Sequence, residues 1–322
     1  MILLTTRFTE LFDLKYPVMS APMSGHSGGT LAAAVSEAGG FGSFGGTDER
    51  GPDWVCEQIE IIRGRTDKPF AVGFITPLMS LLEANFTAAL EENAPAIVLS
   101  FSDPQPWLRK AKDAGALAIC QVQSMEGAEL AVAGGADALI AQGNEAGGHC
   151  GTAAMLPLLV RIVGRYPEMP VLAAGGVATG RALAAVLAAG ADGASVGTAF
   201  LATPEAFEVP DVYKERVVQS DGEDTIFTKV YDLIDGLPWP EGIGARVYAS
   251  QFVREWDGRD SEIVEQREAL REKISAAYRK DPEIAAVYMG ESAGDVDCIR
   301  PAAELLAEIC EGAEELLRRS NS

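Results

Sequence analysis

From residue 17 to about residue 200 one unit recurs: a short apolar run, a turn rich in Gly, Ser or Pro, then a segment of helical periodicity. The apolar runs are PVMSA (17–21), GFGSFG (40–45), FAVGF (70–74), AIVLS (96–100), LAICQV (117–122), ALIAQG (138–143), VLAAG (171–175) and GASVG (193–197), eight in all. Their hydrophobicity is near-continuous rather than alternating, the pattern of parallel strands covered on both faces. Between them lie helical segments such as GGTLAAAVSEAG, QPWLRKAKDAG, MEGAELAVAGG and TGRALAAVLAAG, several closed by Gly, the residue suited to a helix C-cap. Eight strand–helix units in succession predict an α/β fold, a (β/α)8 TIM barrel, with a doubly wound open sheet as the alternative topology.

After about Pro204 the rhythm stops. GLPWPEGIGARVY (236–248) is Pro/Gly-rich and irregular, residues 257–281 read as a charged helix, and residues 301–320 as another, with Pro301 placed in its first turn. The division expected is a barrel over 1–204 and a mostly helical C-terminal cap and tail over 205–322, packed on the barrel.

Charge narrows the partners. The chain carries 26 basic and 47 acidic side chains, a net −21, which repels phosphate backbones and anionic lipid. Nucleic-acid and membrane-surface roles are therefore disfavoured, and no stretch approaches 18 uncharged apolar residues. The five cysteines are scattered without a CxxC pair, as in a reduced intracellular protein, and the opening MILLTTRFTELF lacks the marks of a secretory leader. A cytoplasmic location is expected, with a small molecule as partner and a homo-oligomer possible on these grounds.

In a barrel, chemistry gathers where strands end at their C-terminal side. Paired Gly175 and Gly176 follow the seventh run, and Gly197–Thr198 follows the eighth. Backbone N–H groups of these two loops converge on an anion in barrels that bind phosphate; the plainer reading is two tight turns. After the sixth run comes QGNEAGGHCGT (142–152), where glycine pairs allow close approach to a planar ligand and His149 follows at once. A lone histidine is commonly structural, but this position on the catalytic rim makes His149 the candidate acid–base residue. His26 lies near the same rim after the first run. GGFGSFGG holds a GxGxxG at Gly40, Gly42 and Gly45, yet a helical segment precedes it and TDERGPDW follows, which is the wrong setting for a dinucleotide fingerprint. Cys150 beside His149 suggests a thiol nucleophile, with no positive partner evident to form the thiolate. No dedicated metal or nucleoside-triphosphate motif is present.

Taken together, APMSGHSGGTLAAAVSEAGGFGSFGG, PFAVGF, QGNEAGGHCGT, VLAAGGVATGRALAAVLAAGADGASVGTAFLAT and DGLPWPEGIGARVYASQF resemble the nitronate monooxygenase family, formerly called 2-nitropropane dioxygenases, over nearly the whole chain. The resemblance implies an FMN-containing barrel. It implies flavin contacts from Ala21, Pro22 and Met23, from Gln121 near the pyrimidine end, and from Ala146, Gly147 and Gly148. Gly175, Gly176, Gly197 and Thr198 match the phosphate site, and His149 the active-site histidine. Gly73 falls in the cofactor-binding set as well, at a position where many members carry Asn; His26 stands where other small residues are common.

The activity so implied is oxidation of alkyl nitronates, and of nitroalkanes, with O2. His149 would serve as general base towards a neutral nitroalkane or, as imidazolium, hold the charge of a nitronate. The alternative is a nicotinamide-dependent FMN reductase of the enoyl-acyl-carrier-protein reductase II or NADH:quinone reductase type, which shares the EAGGH segment. A barrel using Cys150 as nucleophile on a phosphorylated nucleoside, and an FMN-binding protein without catalysis, are further readings.

Overall fold

The computed structural model describes residues 4–320; residues 1–3 of the opening segment lie outside the described residues. The strands are β1 (Val18–Ser20), β2 (Gly42–Gly45), β3 (Phe70–Ile75), β4 (Ala96–Ser100), β5 (Leu117–Val122), β6 (Ala138–Gln142), β7 (Gly148–Cys150), β8 (Val171–Ala174), β9 (Gly193–Val196), β10 (Thr225–Thr228) and β11 (Gly244–Tyr248). Eight of them pair in parallel in the order β1-β9-β8-β6-β5-β4-β3-β2. The two ends of that sheet meet: Met19 and Phe41 form a parallel bridge, Phe41 N donates to Val18 O at 2.9 Å, and Ser20 N donates to Phe41 O at 3.0 Å. The open sheet is thereby excluded, and each of the eight apolar runs is a strand of a (β/α)8 barrel.

The glycines of the second run have a packing cause. A Cβ on Gly42 would stand 1.9 Å from Ala32 O of the helix Gly29–Glu37, so the strand and helix meet backbone to backbone. Nucleotide binding is not needed to explain the GxGxxG spacing.

Inside the barrel, Met19, Phe41, Ala71, Val98, Ile119, Ile140 and Leu172 form one buried cluster, joined by Phe8 and Phe12. Those two rings come from the helix Arg7–Phe12, and Phe12 packs 4.2 Å from Phe41. Arg7 grips Asp192, just before β9, with Nε–Oδ1 at 2.9 Å and Nη2–Oδ2 at 2.8 Å. Since Asp192 precedes its strand, this helix plugs the N-terminal end of the barrel and leaves the other end open for chemistry.

The last third, expected to be mostly helical, contains two strands among its helices. β10 and β11 are strands, and with β7 they make a three-stranded antiparallel sheet in the order β10-β11-β7. TIFT and GARVY are too short, and their Pro/Gly-rich surroundings too irregular, for periodicity to reveal them. The charged segment 257–281 is divided at Gln266 into the helices Asp260–Glu265 and Arg267–Ala277. The final helix, Ala302–Ser320, packs against both the helix Gly180–Ala188 and the helix Gly29–Glu37, filling the gap in the outer ring between the seventh and first units. Pro301 stands one residue before it, and Leu305 N donates to its carbonyl at 3.1 Å. Among the described residues no helix is long and apolar enough to cross a membrane.

Candidate active site

A cavity of about 420 Å³ opens at the C-terminal ends of the barrel strands. His149 and the residues matched to the cofactor line it: Ala21, Pro22 and Met23 after β1, Gly73 in β3, Gln121 in β5, Ala146 to His149 after β6, Gly175 and Gly176 after β8, and Gly197 with Thr198 after β9, whereas Cys150 is not among the lining residues. The strand ends bring them together from positions far apart in the chain.

Gly175 and Gly176 take φ of +104° and +69°, a stretch of left-handed backbone that side chains resist. Beside them Ser195 in β9 turns a buried hydroxyl into the cavity without a hydrogen-bond partner. Thr198 is fixed by its Oγ1, which accepts from Gly290 N at 3.0 Å. The EAGGH loop is clamped by the same C-terminal segment: Glu291 N donates to Glu145 O at 3.0 Å. A Cβ on Gly147 would stand 2.5 Å from Gly290 N, so no side chain is tolerated there.

His149 lies on β7, opposite Ala245 of β11. Gln142 holds its backbone by donating from Nε2 to His149 O at 3.0 Å, and Gln123 in turn donates to Gln142 Oε1 at 2.8 Å. The imidazole Nε2 faces Asp232 Oδ1 at 2.7 Å. A carboxylate beside Nε2 places the proton on that nitrogen, leaving Nδ1 of the neutral ring with a free lone pair. Side-chain exposures of 15% for His149 and 11% for Asp232 mean solvent screens this pair little. The second carboxylate oxygen, Asp232 Oδ2, is buried without a partner, so the negative charge is directed at the imidazole alone. Trp239 stacks on the ring at 3.6 Å and 16°, with Tyr288 at 6.0 Å and Phe101 edge-on at 6.3 Å. The arrangement is an oriented imidazole in an aromatic box, able to take or hold a proton at the cavity wall.

Asp232, Trp239, Tyr288 and Phe101 were not legible as site residues. Asp232 lies in the helix Val230–Asp235 and reads as an ordinary solvated charge. Trp239, a large aromatic between two prolines in an irregular stretch, is the one that carried a usable signal. His26 lines the same cavity; its Nδ1 is 3.1 Å from Ser24 O, and burial lowers its pKa, so its ring stays neutral.

Cys150 is buried, and burial pushes its thiol up to about 12, so the nucleophile reading has no thiolate to use. Cys120 is likewise pushed up to about 12 by burial, whereas Cys298 is exposed. At pH 8 a thiol of that pKa is ionised in about one molecule in ten thousand. Iodoacetamide at pH 8 should therefore label Cys298 in the native protein and reach Cys150 and Cys120 only after unfolding, as peptide mass mapping would show; rapid native labelling of Cys150 would restore it as a candidate.

The Gly73 position is explained by its neighbour. A Cβ there would lie 2.3 Å from Pro22 Cβ and 2.6 Å from Pro22 Cγ. Gly73→Ala is expected to cost about 1–3 kcal/mol by overpacking. Combined with Pro22→Gly, which removes both clashing carbons, the cost of the alanine should shrink; strictly additive denaturation midpoints would refute the coupling.

The family model described as nitronate monooxygenase matches residues 5–312. A probable nitronate monooxygenase of Staphylococcus saprophyticus is 30% identical over 323 residues, covering 86% of this chain and 87% of that one. Of solved structures, FabK from Thermotoga maritima matches with a TM-score of 0.88 at 32% identity over 98% of both chains. A nitroalkane oxidase from Streptomyces ansochromogenes matches with a TM-score of 0.81 at 29% identity, again over 98% of both.

Proposed function

The chain belongs to the nitronate monooxygenase family, and from that premise we propose that this oxidoreductase holds FMN and oxidises alkyl nitronates, and nitroalkanes, with O2. The observation that carries the reading is the His149–Asp232 pair, 2.7 Å apart, with His149 on the wall of an aromatic-lined cavity and Asp232 behind it. Nitroalkanes are carbon acids, and an oriented imidazole with an anionic partner is the group their deprotonation needs.

The cavity suits the cofactor on its own terms. The left-handed glycines Gly175 and Gly176, with Gly197, Thr198 and the unpartnered Ser195 hydroxyl, offer donors to a phosphate where, among the described residues, no Lys or Arg lines the cavity. Ala21, Pro22, Met23, Gly73 and Gln121, with Ala146, Gly147 and Gly148, supply the small or flat surfaces that a planar ring requires. When bound, the flavin supplies the redox exchange between substrate and O2.

The chain's own part is positioning and proton handling. Asp232 holds Nε2–H, so Nδ1 of His149 takes the α-proton of a neutral nitroalkane. The imidazolium that results is stabilised by the same carboxylate. A substrate that arrives as its nitronate needs no such transfer, and protonated His149 then offsets its charge. Trp239, Phe101 and Tyr288 keep water from the imidazole, which strengthens both interactions.

A second reading, a nicotinamide-dependent flavin reductase, is favoured by the match to FabK. The two separate in an anaerobic experiment on the purified yellow protein. Butyl-1-nitronate should bleach the visible flavin band while NADH and NADPH leave it; rapid bleaching by a nicotinamide with the nitronate inert would replace the first reading by the second.

A further inference from the structure

Resting on that reading of the site, we propose that the non-reacting part of the substrate is a neutral apolar chain, and that nitronates bearing a carboxylate are disfavoured. The residues around the cavity are divided by topology. In the barrel order β1-β9-β8-β6-β5-β4-β3-β2, strands β8 and β9 stand across from β3 and β4. The glycine loops after β8 and β9, with their N–H donors, thus face the segments after β3 and β4.

Those facing segments are apolar. Leu81 and Leu82 follow β3, Phe101 follows β4, and Leu237 and Trp239 reach over from the cap, all lining the cavity. Leu81 is 68% exposed and Leu237 39%, an arrangement that costs solvation and leaves apolar surface at the mouth. Phe101 has φ of +82°, a conformation that a bulky side chain adopts only when its surroundings hold it there. The strained backbone sets its ring edge-on to Trp239 at 5.3 Å and 86°, completing the wall.

Charge points the same way. Among the described residues lining the cavity there is no Lys or Arg, and the carboxylate there is Glu49, exposed at the rim. Asp232 adds a second negative charge behind His149. With His149 turned to the reacting end, a carboxylate at the apolar end loses hydration, meets no Lys or Arg, and is repelled. An alkyl chain gains from leaving water against the leucines and aromatic rings.

The test is kcat/KM for the nitronates of nitroethane, 1-nitrobutane and 1-nitrohexane beside propionate 3-nitronate. The alkyl series should rise by up to about fourfold per methylene. Propionate 3-nitronate should fall about tenfold or more below the butyl compound, and Glu49→Lys should narrow that gap. Phe101→Ala should flatten the alkyl series. A flat series, or propionate 3-nitronate equal to or better than the butyl compound, overturns the proposal while leaving nitronate oxidation standing. If no nitronate is oxidised, the functional reading fails and the wall is judged by binding alone. Quenching of Trp239 fluorescence, assigned with Trp239→Phe, should then be half-maximal at lower 1-nitrohexane than 3-nitropropionate; the reverse order overturns it.

Discussion

Replacing His149 by Asn is expected to lower turnover of neutral nitroalkanes by about 10²- to 10⁴-fold, the range a positioned general base contributes. Asn approximates the outline of the imidazole but cannot accept a proton at neutral pH. The flavin should remain bound, because the loops assigned to it hold their shape through other contacts. Gln142 grips the backbone carbonyl of residue 149, and Gly147 is wedged against Gly290, neither of which involves the imidazole. Oxidation of pre-formed nitronates should fall less, since no carbon–hydrogen bond then has to be broken by the protein. Steady-state kinetics on paired nitroalkane and nitronate, with the flavin absorbance as loading control, separate the two effects. Full turnover of the neutral nitroalkane by the variant removes the base role, and loss of the flavin itself would recast His149 as a structural residue.

Much of the barrel end could be read from sequence because its logic is local. Each strand is a short apolar run, and what matters in Gly175, Gly197 or Gly147 is the absence of a side chain at a strand end, a property visible in the letters themselves. His149 stood out for the same reason, placed directly after the sixth strand among glycines. What completes the site is non-local. Asp232 meets His149 across 83 residues of chain, and Tyr288 and Gly290 reach the loop from farther still. Asp232 sits in a short helix and Tyr288 and Gly290 in irregular backbone, and the three-stranded sheet beside them joins β7, which carries His149, to two strands from beyond residue 220. Propensity does not report such pairing, because β11 is specified by its partners and not by its own sequence. Gly73 shows the limit from the other side: its lack of a side chain was legible, but the reason, a proline 51 positions earlier filling the space, belongs to the packing.

Asp232→Asn should lower kcat for neutral nitroalkanes by about 10- to 150-fold, the equivalent of losing one charge-assisted hydrogen bond. The carboxylate does two things for His149. It fixes the tautomer by accepting from Nε2, and it stabilises the positive charge that appears on the ring once Nδ1 has taken a proton. An asparagine keeps the shape but supplies no charge, and turned the other way its amide donates to Nε2 and holds the wrong tautomer. Because Asp232 Oδ2 has no partner of its own, no second network holds the side chain in place, and the imidazole is the interaction that matters. The loss should appear in kcat with little change in KM, since Asp232 acts through His149 and not through the substrate's apolar end. It should also be larger for nitroalkanes than for their nitronates, following His149→Asn in kind. The double variant should be little worse than His149→Asn alone, because two residues that act as one unit are not additive. Equal losses on both substrates, accompanied by a drop in Tm, would instead make Asp232 a support of the helix Val230–Asp235 and leave His149 to act unaided.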